Sequence, residues 1–210
     1  LSKKDFSKIL KKHSDKKEYY LKRKLNDSLV SKIKELNLPH IYFIDEFSRV
    51  YLGGSYFSNI IGFTDIDDNG QAGIEYSKNK ELNSTPGIKK VRKDNLGRSV
   101  ELIELIKKPI PGQNIHLSLD KRIQFIGYDI LQEHVERSNA DSASLVLIKN
   151  TTGEIISMVN YPSFNPNNRQ EMTGHKIRNK AATYTFEPGS TMKPFAVYTA
   201  LETKSVDYDY

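Results

Sequence analysis

One short segment of the 210-residue chain carries side chains whose types and spacing could do covalent chemistry: Phe186-Glu187-Pro188-Gly189-Ser190-Thr191-Met192-Lys193-Pro194-Phe195. A hydroxyl and an amine three positions apart at the start of a helix fall on one face, so a neutral Lys193 can take the proton of Ser190 as its oxygen attacks a carbonyl. The positive end of the helix dipole helps twice. It disfavours a protonated lysine, and the outward backbone N–H groups there can hold the oxyanion of a tetrahedral intermediate.

The Ser-x-x-Lys spacing alone is weak. With 19 Ser and 24 Lys in the chain, about two such pairs arise by chance. Five occur: Ser14/Lys17, Ser31/Lys34, Ser77/Lys80, Ser118/Lys121 and Ser190/Lys193. Only Ser190 has a turn-forming Pro188-Gly189 ahead of it and a mixed apolar helix behind it, expected to bury the scaffold and fix the side chain. A plain N-cap serine and an exposed first-turn lysine account for the same residues, and spacing does not choose between the two.

Other constellations are weaker. Asp65-Ile66-Asp67-Asp68-Asn69-Gly70 has the opening spacing of a calcium loop, but Tyr76 occupies the closing ligand position and Glu75 falls one residue early. A hydrogen-bonded acidic loop is the better reading. His13, His40, His116, His134 and His175 are scattered, and there is no Cys to join them. Neither a metal nor a cofactor is expected.

The elements that must position Ser190 are legible in outline. Asn26-Asp27 can cap a helix to about Asn37, with Leu29, Val30, Ile33 and Leu36 on one side and Pro39 to stop it. Ile41 to Tyr51 is rich in β-branched and aromatic residues and reads as extended, broken at Gly53-Gly54. A short helix is expected near Ile74 to Leu82. Extended stretches follow at Ile88 to Lys93 and Arg98 to Ile106, joined by Asn95-Leu96-Gly97, with another strand at Ile115 to Leu119. Asp120 caps the clearest helix, to about Ser138, whose stripe of Ile123, Ile126, Ile130, Leu131 and Val135 is expected to be core. Ser144 to Ile148 and Glu154 to Val159 flank Asn150-Thr151-Thr152-Gly153 as a hairpin. Tyr161 to Asn168 reads as a surface loop, and a last helix runs from about Ser190 to Lys204. The fold class is α+β, with a boundary near Asn139 to Asp141.

Composition excludes whole classes. With 37% apolar and 28% charged residues and no Cys, the chain is neither collagen-like, nor a disulfide scaffold, nor wholly disordered. Its longest aliphatic run, Leu145 to Ile148, is far short of the ~18 residues needed to span a bilayer. The net charge of +6 sits at one end: residues 1 to 40 hold 12 basic and 5 acidic side chains. A juxtamembrane segment, a nucleic-acid arm with Phe6, Tyr19 and Tyr20 available for stacking, and a solvated helix face compete for this charge, the last being the usual case. No zinc-ligand set or RNA-binding motif accompanies it, so nucleic acid is not an expected partner.

From Arg178-Asn179-Lys180-Ala181-Ala182 through Phe186 to Phe195 the chain resembles the active-serine region of class B penicillin-binding proteins, in their division-specific version. The likeness extends to Ile148–Asn168, with Thr152-Gly153-Glu154 and Tyr161-Pro162-Ser163-Phe164-Asn165-Pro166-Asn167. It extends further to Ile61-Gly62-Phe63-Thr64-Asp65, Gly70 through Glu75, and Leu117-Ser118-Leu119-Asp120. In all it covers most of residues 22 to 204. It implies a dimerisation-type pedestal module over 1–139, followed over 140–210 by the first hairpin and active-serine helix of a transpeptidase domain.

The resemblance further implies a periplasmic enzyme, tethered to the inner membrane by an N-terminal anchor outside this chain, that cross-links peptidoglycan at the division septum. Ser190 would attack the penultimate D-Ala of a stem peptide, Lys193 would accept its proton, and the Ser190 N–H would form half of the oxyanion hole. The expected partners are peptidoglycan stem peptides, β-lactam antibiotics that acylate the same hydroxyl, and other membrane proteins of cell division. Ser77-Lys78-Asn79 and Ser163-Phe164-Asn165 match the family's Ser-x-Asn motif but precede the serine. No Lys-Thr-Gly or Lys-Ser-Gly occurs, and Leu52 replaces a proline after Tyr51. The chain by itself is therefore expected to be an inactive piece of a larger enzyme. A non-catalytic scaffold that binds division partners is the alternative, and a β-lactamase or β-lactam sensor is a third reading.

Overall fold

The computed structural model describes residues 7–8, 11–12, 19–94 and 99–209. In chain order its helices and strands are α1 (Asp27–Glu35), α2 (Ser58–Ile61), α3 (Gly73–Ser77), α4 (Asn79–Leu82), β1 (Ile88–Lys93), β2 (Ser99–Lys107), α5 (Lys121–Ser138), β3 (Ala143–Ile148), β4 (Ile155–Tyr161), α6 (Gly174–Ile177), α7 (Lys180–Thr183) and α8 (Lys193–Glu202). Short 3₁₀ turns lie at Gly54–Tyr56, Arg169–Glu171 and Gly189–Met192. Two antiparallel two-stranded sheets form, β1 with β2 and β3 with β4. None of the helices among the described residues is long and apolar enough to cross a membrane.

Local chemistry sets the helix boundaries. Asn26 accepts from the Leu29 amide at 3.0 Å and starts α1. Asp120 accepts from the amides of Arg122 at 2.8 Å and Ile123 at 3.3 Å and starts α5, which ends on Asn139 in the left-handed conformation at φ 51°. The β3–β4 hairpin pairs Leu145 with Val159 and Ile148 with Ile155. Its connection closes with Gly153 at φ 75°, a conformation that glycine adopts without steric cost. The expected turn at Asn95-Leu96-Gly97 lies outside the described residues.

The core sits where α5 crosses β4, and it is as much polar as apolar. Gln124, at the centre of this crossing, is fully buried. Its amide nitrogen donates to the carbonyls of Tyr56 at 2.8 Å and Met158 at 2.9 Å, and its oxygen accepts from Ser157 Oγ at 2.9 Å and the Met158 amide at 3.0 Å. All four hydrogen-bonding positions of the side chain are thus filled. Around it Tyr56 meets Phe125 and Tyr128 at ring-centroid separations of 4.2 and 4.7 Å, and Phe63 meets Phe164 edge-on at 5.8 Å.

Four expectations are corrected. The buried face of α5 is Gln124, Gly127, Tyr128 and Val135, while Ile126 and Ile130 of the expected stripe face solvent. The helix is rolled toward β4, with Gly127 facing Val159, Leu145 and Ser157 across the contact. Residues 41–50 form no strand, and among the described residues none pairs with them. Residues 115–119 also lack strand structure, and this segment is instead stitched to β4 by Ser118 Oγ donating to the Ile155 carbonyl at 2.6 Å and the Asp120 amide donating to the Ile156 carbonyl at 2.9 Å. Finally, Tyr161 to Asn168 is not a surface loop throughout. A cis Tyr161–Pro162 bond begins it, and Ser163, Phe164 and Pro166 are buried.

Candidate active site

The serine turn is built by its neighbours. Gly189 has φ +54° with no heavy atom near a hypothetical Cβ, so backbone conformation rather than space selects glycine. The Pro188 carbonyl accepts from both the Thr191 amide and Thr191 Oγ1. The Lys193 amide then donates to the Ser190 carbonyl, closing the 3₁₀ turn on which α8 begins.

Ser190 and Lys193 are both exposed. Among the described residues the Ser190 amide and hydroxyl have no hydrogen-bond partner, and neither does the Lys193 ammonium. Ser190 and Lys193 thus stand three residues apart where a 3₁₀ turn meets α8, both open to solvent and with no hydrogen bond between their side chains. The expected burial of α8 is not observed. None of its residues is buried, with Phe195 and Tyr198 65% and 63% exposed, because the helix makes no extensive contact with any element of the described chain beyond its own 3₁₀ turn.

The approach to this turn is anchored by asparagines that sequence reasoning did not single out. Asn160, buried near the end of β4, accepts from the Ala181 amide at 2.7 Å and from Ser144 Oγ at 2.8 Å, and donates to Asn179 Oδ1 at 2.9 Å. Lys180 is buried beside it. Burial holds its ammonium below the ordinary lysine range, and the Tyr184 ring lies 6.0 Å away. From the other direction Asn59 donates to the Lys176, Ile177 and Arg178 carbonyls. The only signal in sequence was a polar residue at a buried strand position, which hydrophobic patterning passes over.

The two sequence regions meet along a polar seam. Tyr51 and Asn167 pair reciprocally, the Tyr51 amide donating to Asn167 Oδ1 at 3.0 Å and Asn167 Nδ2 donating to the Tyr51 carbonyl at 2.9 Å. Arg169 donates to the Thr64 carbonyl at 3.1 Å, and Ser163 to the Ser55 carbonyl at 2.9 Å. Both Ser-x-Asn tripeptides are used structurally: Ser163 also meets the Tyr128 hydroxyl at 3.0 Å, and Asn79 accepts from the Gly70 amide at 2.8 Å.

The acidic loop is closed on itself. Asp65 accepts from the amides of Asp67 and Asn69 at 2.8 and 2.9 Å. These bonds, led by that from Asn69, hold its carboxyl below the usual range. Asp67 pairs with Arg23, and Asp68 with Lys24 at 2.8 Å. Nearby, the buried Glu75 meets Arg49 at 3.0 and 3.2 Å.

The profile of the penicillin-binding protein dimerisation domain matches residues 1–117, more than half of the chain. The chain belongs to the penicillin-binding protein family. The family's transpeptidase domain matches residues 143–209. The chain is 44% identical over 192 residues to the peptidoglycan D,D-transpeptidase FtsI of Buchnera aphidicola, covering 90% of this chain and 34% of that protein. It is 41% identical over 183 residues to FtsI of Escherichia coli K12, covering 87% and 31%. It thus spans about a third of the length of these curated relatives. Among solved structures, penicillin-binding protein 3 of Mycobacterium tuberculosis superposes with a TM-score of 0.62 at 32% identity, over 75% of this chain and 32% of that one. A peptidoglycan synthetase of Bifidobacterium adolescentis superposes at 0.64 and 25% identity, over 89% and 34%. The α+β class and the order of the two penicillin-binding modules agree with the expectations from sequence.

Proposed function

We propose that this chain is part of a septal peptidoglycan D,D-transpeptidase in which Ser190 is the acylated nucleophile and Lys193 its proton acceptor. One observation carries the reading: an exposed serine whose backbone N–H has no partner among the described residues stands one 3₁₀ turn before a lysine, within the transpeptidase-matched region. Ser190 Oγ attacks the carbonyl of the penultimate D-Ala while the Lys193 amine takes its proton, and the Ser190 N–H stabilises the oxyanion. The C–N bond then breaks, and the proton passes to the departing terminal D-Ala. An amine of a neighbouring stem peptide attacks the ester, forms the cross-link and frees Ser190. A β-lactam carbonyl is opened by the same hydroxyl.

The pattern of α8 fits this placement. Phe195, Ala196, Val197, Tyr198, Ala200 and Leu201 surround the axis, the composition of a helix covered on every side within a larger domain. The proposed division is a pedestal over residues 1–139 and the opening of the catalytic domain over 140–210. The packing of α5 on β4 supports moving its start to Asp120. An N-terminal membrane anchor, a periplasmic location and partners among cell-division membrane proteins complete the proposal.

The test is covalent labelling of the full-length parent by a fluorescent penicillin. Label is expected on Ser190, located by peptide mapping, and is expected to be absent in Ser190→Ala. Label that survives this substitution overturns the serine assignment, and a wild-type protein that takes none favours the scaffold reading.

A further inference from the structure

The segment that leads to Ser190 is gripped from two sides, and one grip comes from the pedestal. Asn59 sits in α2, buried, more than a hundred residues away in sequence. Its Nδ2 lies 2.7 Å from the Lys176 carbonyl and 3.2 Å from those of Ile177 and Arg178. These carbonyls belong to the end of α6, which a four-residue helix leaves without partners of its own. On the far side, Asn160 holds the Ala181 amide and the Asn179 side chain against β4. Beyond α7 the serine turn and α8 make no extensive contact with other elements among the described residues. Among the described residues, Ser190 is therefore tied to the sheet along the chain, through residues 176–181.

We propose that Asn59 is a positioning residue for Ser190. By holding the carbonyl end of α6 it sets where α7 meets β4, and so where the serine turn stands. The pedestal thereby acts on acyl transfer through a single side-chain amide, without touching substrate. This inference rests on the assignment of Ser190 as the acylated hydroxyl.

The experiment measures fluorescent-penicillin acylation of the full-length parent, resolved into a limiting rate constant and a saturation constant. Asn59→Leu has similar volume and no donor. It is expected to lower the limiting rate about tenfold, as a misplaced nucleophile does, while the saturation constant stays within about twofold. Asn59→Gln, which restores the donor, is expected to recover most of the rate. Ser58→Ala is the control for simple loosening of the pedestal, since Ser58 is equally buried but donates only to the Ser55 carbonyl; its limiting rate is expected to be unchanged.

A folded Asn59→Leu protein that acylates at the wild-type rate overturns the proposal, as does an equal loss in Ser58→Ala. Should Asn59→Leu fail to fold, Asn59→Ser is compared with Asn59→Gln, and equal limiting rates are the overturning result. Persistence of label in Ser190→Ala is a separate outcome that removes the nucleophile assignment rather than the role of Asn59.

Discussion

Asn160 caps a helix to which it does not belong. Its Oδ1 accepts from the Ala181 amide at 2.7 Å, in the first turn of α7. Asn179, which occupies the cap position of that helix, makes no capping bond of its own and turns its side-chain oxygen to Asn160 Nδ2. The strand thus supplies the cap that the helix lacks, which fixes α7 to the sheet as well as starting it.

Asn160→Ala leaves the Ala181 amide and the Ser144 hydroxyl without their acceptor in a part-buried site. A loss of about 1–2 kcal/mol is expected from denaturant unfolding. Penicillin acylation of the parent should slow by more than unfolded protein explains. Unchanged stability would show that water replaces the amide there.

Gln124→Leu tests whether the centre of the α5–β4 crossing is held by hydrogen bonds or by shape. Leucine fills comparable space but abandons two carbonyls, one amide and one hydroxyl. With desolvation of even two of these groups uncompensated, destabilisation of at least about 3 kcal/mol is expected. A melting temperature equal to wild type would assign the crossing to apolar packing instead.

Gly189→Ala isolates the backbone of the serine turn. A Cβ meets nothing within 4 Å, but φ is +54°, so about 1 kcal/mol of conformational cost falls on the turn itself. Relaxation of that cost moves Ser190, and acylation should fall while global unfolding barely shifts. Gly189→Asn, which tolerates this conformation better, should lie between. Equal acylation in all three proteins would contradict a shape-dependent turn.

Tyr161 donates to Glu136 Oε1 at 2.7 Å. That hydrogen bond is the main reason its hydroxyl is pushed up to about 12, and the same bond leads the causes that hold Glu136 below the usual carboxylate range. The folded protein retains the tyrosine proton longer than the unfolded chain, so this contribution is complete below about pH 10 and disappears as pH rises toward 12. The glutamate contribution is present above the normal carboxylate range and is lost as pH falls through its depressed value. The melting-temperature difference between wild type and Tyr161→Phe should therefore be flat near neutrality and shrink at both extremes. A difference constant from acid to pH 12 would rule out the pairing.

What the sequence made legible was local. The caps at Asn26 and Asp120, the turn before Gly153 and the Pro188-Gly189 context of Ser190 act within a few residues, and each is found where spacing put it. The stripe on α5 was misjudged because Ile126 and Ile130 were counted as core, whereas a glycine and a fully bonded glutamine form the contact face. Tyr161 to Asn168 was misjudged because an asparagine- and proline-rich composition reads as wet, yet Phe164 and Ser163 are drawn inward by Phe63, Tyr128 and the Ser55 carbonyl. Asn59 and Asn160 were invisible for a related reason. Their partners, three carbonyls for the one and an amide with two side chains for the other, are reached through space, and no periodicity encodes them.

The seam between the two regions is made of aimed polar contacts: Tyr51 with Asn167, Asn59 with three carbonyls, Arg169 with Thr64. Oily surfaces can slide over one another with little loss, but hydrogen bonds weaken steeply once their angles are spoiled. A small tilt between the regions would therefore release these contacts together instead of trading one for the next. The joint therefore holds its angle more strictly than an apolar contact of the same size would.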